Sequence, residues 1–255
     1  MIYLFFISIP IFIFVTFHFR LYLLLYPNER LIVLMYHNIH ENSFDDLSVE
    51  VSNLDKQFKY LNKRKYTSIF FSEIHHPITS KVIITFDDGY KNNFDYLPDL
   101  LAKHNLKAVL FISTHFIQHG YDNNIMMTFE ELRSLPSNLF EIGLHSHSHK
   151  DFRTLTMEQA EDDLKMNMKI LNEEKINYCS VFAYPYGKYI KEKNQKEIFF
   201  NILKKLGINV AVRIGNKVNS IKTTNPFEVC RIDIKGQDSL IKFKLKLILG
   251  KLNFF

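Results

Sequence analysis

Two short segments carry most of the chemistry this chain can do. One is Thr85-Phe86-Asp87-Asp88-Gly89-Tyr90, and the other is His145-Ser146-His147-Ser148-His149. Asp88, His145 and His149 offer one carboxylate oxygen and two imidazole nitrogens to a divalent metal. Such a set leaves open positions for water and substrate, as a catalytic metal requires. A metal lowers the pKa of its water from ~16 toward ~7, and a neighbouring carboxylate, Asp87, is left to take the proton. Taken alone, an Asp-Asp-Gly turn is an ordinary capped turn. An alternating His run alone is equally at home on a solvated strand edge. Their occurrence together, each after an apolar run, points to a metal site.

The elements that must position these residues are legible in the hydrophobic pattern. Val82-Ile83-Ile84 and Phe140-Glu141-Ile142-Gly143-Leu144 read as buried strands. The motifs therefore sit at strand C-termini, where α/β folds place their chemistry. Further strands are predicted over 31–37, 67–71, 107–113, 179–184, 209–214 and 229–234. Helices are predicted over 54–63, 93–104, 129–135, 157–176 and 195–206. Residues 41–50 read as an acidic loop. Alternating strands and helices imply parallel β/α units, and seven or eight strands favour a barrel over an open sheet. No repeat or linker divides residues 31–236.

With 47% apolar residues in 255, a large core is available. The net charge of +5 is diffuse, and no nucleic-acid signature accompanies it. It suits weak attraction to an anionic membrane or wall polymer. Residues 1–26 read as an N-terminal membrane anchor: Ile2 to Phe17 is uncharged, and Leu21 to Tyr26 extends the run if Arg20 snorkels. No small-residue cleavage site follows, which predicts an uncleaved anchor. Arg20 and Arg30 follow the run and no basic residue precedes it, so charge bias alone would leave the domain in the cytoplasm. Residues 237–255 form a basic amphipathic segment, read either as a closing helix with a lysine-rich face or as a membrane-lying one. Cys179 and Cys230 each start a predicted strand. They are two buried thiols, or a disulfide if the domain is exported.

The two motif segments resemble the first two motifs of the polysaccharide deacetylases, the NodB-homology family. Phe182-Ala183-Tyr184-Pro185-Tyr186-Gly187 resembles that family's groove-wall motif. The resemblance implies a distorted (β/α)7–8 barrel and metal-dependent removal of acetyl groups from N-acetylated sugars. It implies Asp88, His145 and His149 as ligands, Asp87 as base, and the Tyr186 backbone N–H as an oxyanion donor. Zinc is the default metal for this set, and Co2+, Ni2+ or Fe2+ also fit.

The chain departs from the pattern in two places. Many members carry an Arg that orients the base where this chain has Ala183. Arg231, in Cys230-Arg231-Ile232-Asp233, either substitutes for it or is a surface charge at a strand end. The family's late general-acid His is also missing, since no His follows His149. Leu34-Met35-Tyr36-His37-Asn38-Ile39 resembles the early Tyr-His motif of the poly-N-acetylglucosamine deacetylase branch, whose barrel is circularly permuted. His37 would then be the general acid. His75-His76 reads as surface. The expectation is a membrane-anchored, metal-dependent deacetylase of an N-acetylhexosamine polymer or glycoconjugate, with its domain on the outer face. A deformylase or O-acetyl esterase on a lipid-linked sugar, and a catalytically silent glycan-binding barrel of an export machine, remain open alternatives.

Overall fold

The structure, a computed structural model, describes residues 2–42 and 45–252. Seven parallel strands close into a barrel: β1 (Arg30–Tyr36), β2 (Lys81–Asp88), β3 (Ala108–Ile112), β4 (Phe140–Leu144), β5 (Val181–Ala183), β6 (Val210–Ile214) and β7 (Val229–Asp233). They stand in chain order around the ring. β1 closes it by pairing with β2 on one side and β7 on the other.

Parallel neighbours need long crossovers, and helices supply them. The helices are α1 (Ile2–His18), α2 (Val51–Lys63), α3 (Lys91–His104), α4 (Thr114–His119), α5 (Phe129–Ser134), α6 (Met157–Glu173), α7 (Lys193–Lys205) and α8 (Leu240–Leu249). The β6–β7 crossover has no α-helix. It carries instead Asn219–Ser220, which pairs antiparallel with the start of β1. This missing helix is the distortion of the barrel.

Strand side chains alternate between two dry layers, which is why the strands read as unbroken apolar runs. Leu31, Val33, Ile83, Val109, Phe111 and Val212 fill the barrel. Ile32, Leu34, Ile84, Leu110 and Ile232 face outward and share a core with Leu54 and Phe58 of α2, Leu164 of α6 and Phe199 of α7. The strand predicted over 67–71 is only Thr67–Ser68. The chain then enters a tight turn at Phe71–Glu73, and Ile69, Phe71 and Ile74 join the interior cluster.

At the N-terminus α1 covers only part of the apolar run. Helix α1 has 17 residues, or about 25 Å, against the ~30 Å of a bilayer's hydrocarbon. Among the described residues no helix is long and apolar enough to cross a membrane. The helix ends at His18, and Arg20 takes a left-handed backbone (φ 54°) and leads into a single turn at Leu21–Leu25. Phe19 and Leu23 are buried in the domain, and Arg20 donates to the Val218 carbonyl at 2.8 Å. These contacts bind residues 19–26 to the barrel. At the other end α8 buries Phe243, Leu247 and Lys246, so one lysine of the basic segment faces inward. Residues 253–255 of that segment, and Met1, lie outside the described residues. Cys179 is half-buried, Cys230 is buried, and both are free thiols.

Candidate active site

Strand alternation delivers the site. The inward face of β2 runs Ile83, Thr85, Asp87, that of β7 runs Val229, Arg231, and that of β4 runs through Gly143 to His145, one residue past the strand. The interior is apolar along most of its height and becomes Thr85, Asp87, His145 and Arg231 at the C-terminal mouth. Gly143 has no alternative: a Cβ there would lie 2.5 Å from the Phe111 ring. Asp88, one residue past Asp87, would face outward on a regular strand. Its backbone is instead left-handed (φ 75°) and the turn continues through Gly89 (φ 93°). That conformation costs about 1–2 kcal/mol and turns a second carboxylate into the same cavity.

Asp88, His145 and His149 converge. Asp88 Oδ1 lies 3.4 Å from His145 Nε2 and 3.2 Å from His149 Nε2, and the two nitrogens are 3.2 Å apart. Tetrahedral coordination at ~2.0–2.1 Å separates ligand atoms by about 3.3–3.4 Å, so the triangle has the size of a metal-binding face. All three side chains are buried. His145 Nδ1 donates to the Ala183 carbonyl at 2.8 Å, which leaves Nε2 with its lone pair toward the triangle. Asp88 Oδ1 is shielded from solvent and has no hydrogen-bond partner of normal geometry. A buried carboxylate oxygen between two imidazoles fits a divalent cation. Burial pushes the Asp88 carboxyl up, but His145 and His149 outweigh it and hold the group well below the usual carboxylate range.

Asp87 is held differently. Arg231 Nη1 and Nη2 donate to its two oxygens at 2.6 and 2.7 Å, and neither side chain is solvent-exposed. Arg231 is therefore not a surface charge. Thr85 Oγ1 accepts from the same guanidinium at 3.3 Å and donates to the Leu34 carbonyl at 2.7 Å. Burial raises the Asp87 carboxyl, yet the charges of Arg231 and then His145 prevail and lower it. His37, just past β1, places Nε2 at 3.9 Å from Asp87 Oδ2. His145 Nε2 is 3.8 Å from that same oxygen. The position follows from ring closure, because β1 lies between the strands of Asp87 and Arg231.

Tyr186 borders the triangle. It has a left-handed backbone (φ 57°), is 52% exposed, and its ring centroid lies 4.8 Å from that of His149. His75 and His76 are exposed, as predicted.

Further groups, unremarked in the sequence, support the triangle from behind. Asp163 of α6 accepts from the backbone N–H of His147 at 3.0 Å and of Ser148 at 2.9 Å, and Ser146 Oγ accepts from His149 N–H at 3.0 Å. The loop between His145 and His149 is thereby fixed. His147 itself turns away and pairs through Nδ1 with Thr114 Oγ1 at 2.9 Å. The signal was present: Asp163 and Asn167 stand at i, i+4 beside the apolar stripe Ala160, Leu164, Leu171, where polar groups need a partner.

The chain spans 59% of the length of YxkH of Bacillus subtilis, with 26% identity over 170 residues, 64% of this chain. It is 30% identical over 86 residues to the peptidoglycan-N-acetylmuramic acid deacetylase PdaA of B. subtilis, covering 32% of this chain and 29% of that one. In fold it resembles the Streptococcus pyogenes deacetylase PplD, solved with acetate (TM-score 0.73, 19% identity, 86% of this chain and 98% of that one). IcaB of Ammonifex degensii is similar to the same degree (TM-score 0.73, 19% identity, 88% and 98%). Residues 75–211, which hold both motif segments and the Pro185-Tyr186-Gly187 wall, match the polysaccharide deacetylase family, and the chain belongs to it.

Proposed function

We propose that this protein is a metal-dependent hydrolase that removes N-acetyl groups from an N-acetylhexosamine polymer or glycoconjugate. The carrying observation is the buried triangle of Asp88, His145 and His149 with a second, separately held carboxylate beside it. A divalent cation bound by those three residues supplies Lewis acidity toward water and the acetamide carbonyl. Zinc suits the donor set, with Co2+, Ni2+ and Fe2+ as substitutes.

Asp87, kept ionised by Arg231, takes the proton of the attacking water. The Tyr186 backbone N–H donates to the developing oxyanion. His37, on the β1 side of Asp87, gives a proton to the leaving amine, which is too basic to depart without one. A barrel that only bound glycan would have no use for a buried carboxylate gripped by an arginine. The exposed apolar side chains of α1, among them Ile11, Phe12, Phe14 and Phe17, support membrane attachment, with the domain on the outer face where polymeric glycan lies.

Acetate and free amine released from N-acetylglucosamine oligomers test the reading. Equal amounts of both are expected, abolished by a chelator and restored by Zn2+. Zinc-loaded protein that releases neither from any acetylated glycan would overturn it.

A further inference from the structure

Across Tyr186 from the metal triangle lies a cleft of about 350 Å3 lined by Arg153, Tyr186, Lys188, Tyr189, Lys191 and Arg213. We infer that this cleft is an anion subsite, which binds a carboxylate or phosphate carried by the sugar next to the one being deacetylated. The inference rests on the hydrolase reading above and names its substrate class as an anionic glycan.

The local charge balance carries it. Four cations meet one carboxylate. Asp151 is gripped by Arg153 through Nε at 3.0 Å and Nη2 at 2.6 Å, and Lys188 Nζ also lies within 3.7 Å of it. Among the described residues, Lys191 and Arg213 have no carboxylate within ion-pair reach. Lys222, Lys205 and Lys235, by contrast, each pair with a carboxylate, of Glu29, Glu161 and Asp46. A cluster with an excess of cations at the edge of the mouth raises the local concentration of anions.

Arg213 is also built into place. Its guanidinium lies 4.3 Å from the Tyr189 ring centroid, Nη1 donates to the Ile214 carbonyl at 3.0 Å, and Nε is shielded from solvent without an acceptor. A planar cation fixed by stacking and one backbone bond is pre-organised for a two-oxygen acceptor.

The cleft is continuous with the site. Lys188 Nζ lies 5.4 Å from the Tyr186 ring centroid, and that ring abuts His149. Gly187 (φ 62°) lets the loop lie on β6, since a Cβ there would stand 2.1 Å from Ile214 Cγ1. One aromatic side chain thus separates Lys188 from His149.

The test uses three N-acetylhexosamine oligomers of equal length: one with 3-O-lactyl carboxylates, the same one with its carboxyls as methyl amides, and one with phosphodiester substituents. Binding is measured on metal-free full-length protein by calorimetry, and amine release on the zinc-loaded protein. A charged oligomer should bind ~10-fold more tightly than the amide, on the scale of one charge-assisted pair, and less so at high salt. Whichever of carboxylate and phosphodiester binds more tightly identifies the anion. Arg213→Gln should abolish the preference and leave the neutral oligomer unchanged. Lys191→Gln, at an exposed position, should reduce it without disturbing the fold. Equal binding of charged and neutral oligomers, or a preference unaltered in both variants, would overturn the subsite. Amine release without charge preference sinks the subsite and keeps the hydrolase. Charge-selective binding without amine release does the reverse.

Discussion

Arg231 and Asp87 stand 144 residues apart in the chain and meet as a two-pronged ion pair closed off from water. Each is tolerable inside the barrel only because of the other. Removing one partner of a buried pair typically costs about 3–5 kcal/mol. Arg231→Met should therefore lower thermal stability by that scale. Arg231→Lys keeps the charge but loses the fork. It should fold, bind metal and lose ~10-fold or more in kcat. A lysine variant with full activity would show that the fork does not position the base.

The two adjacent carboxylates should separate in their effects. Asp87→Asn should retain metal and lose ~10²-fold in kcat, the usual scale for a missing general base. Asp88→Asn and His149→Ala should lose metal, read by elemental analysis after gel filtration. Full occupancy in His149→Ala would remove that residue from the ligand set.

For His37 the leaving group is the test. His37→Gln should impair acetamide hydrolysis far more than hydrolysis of an aryl acetate, whose phenolate leaves without a proton. Equal losses on both substrates would make His37 a positioning residue for Asp87.

Asp163 bonds to none of the three side chains of the triangle, yet it ties the backbone between His145 and His149. Asp163→Ala should weaken metal affinity ~10–100-fold, as losses behind a ligand do. Saturating metal should restore kcat. Competition against a coloured chelator gives the affinity, and unchanged affinity would mean that the loop holds its shape unaided.

Asp238 clamps the start of α8. It contacts the ammonium groups of Lys246 and of Lys242, the latter at 2.7 Å, and accepts from Lys235 N–H at 3.0 Å. Burial raises its carboxyl, but the bonds to Lys242 and Lys246 prevail and lower it. A depressed folded pKa stabilises above the unfolded value of ~3.9, and that contribution disappears as pH falls through the folded value. Asp238→Asn should lower Tm at neutral pH, and the gap to the parent should close below about pH 4. A gap independent of pH would assign the effect to packing.

The sequence alone determined the strand-borne half of this site. Strands buried on both faces must be unbroken apolar runs, so Val82-Ile83-Ile84 and Phe140–Leu144 announce themselves, and with them the strand ends that carry Asp87, Asp88 and His145. Local spacing also brings His149 back to His145. Tertiary structure decided the rest. In Cys230-Arg231-Ile232-Asp233 the polar residues alternate as they would on a solvated edge, and only ring closure puts that face inside, with Arg231 against Asp87. His37 reaches Asp87 because β1 pairs with both β2 and β7, a relation between residues ~50 and ~200 positions apart in the chain. The apolar N-terminal run likewise conceals its break at Arg20. The turn there is held by the Val218 carbonyl and by burial of Phe19 and Leu23, none of which hydropathy registers. Apolar periodicity records what each segment must bury. Which segments become neighbours is set by closing the barrel, and that closure is a property of the whole chain.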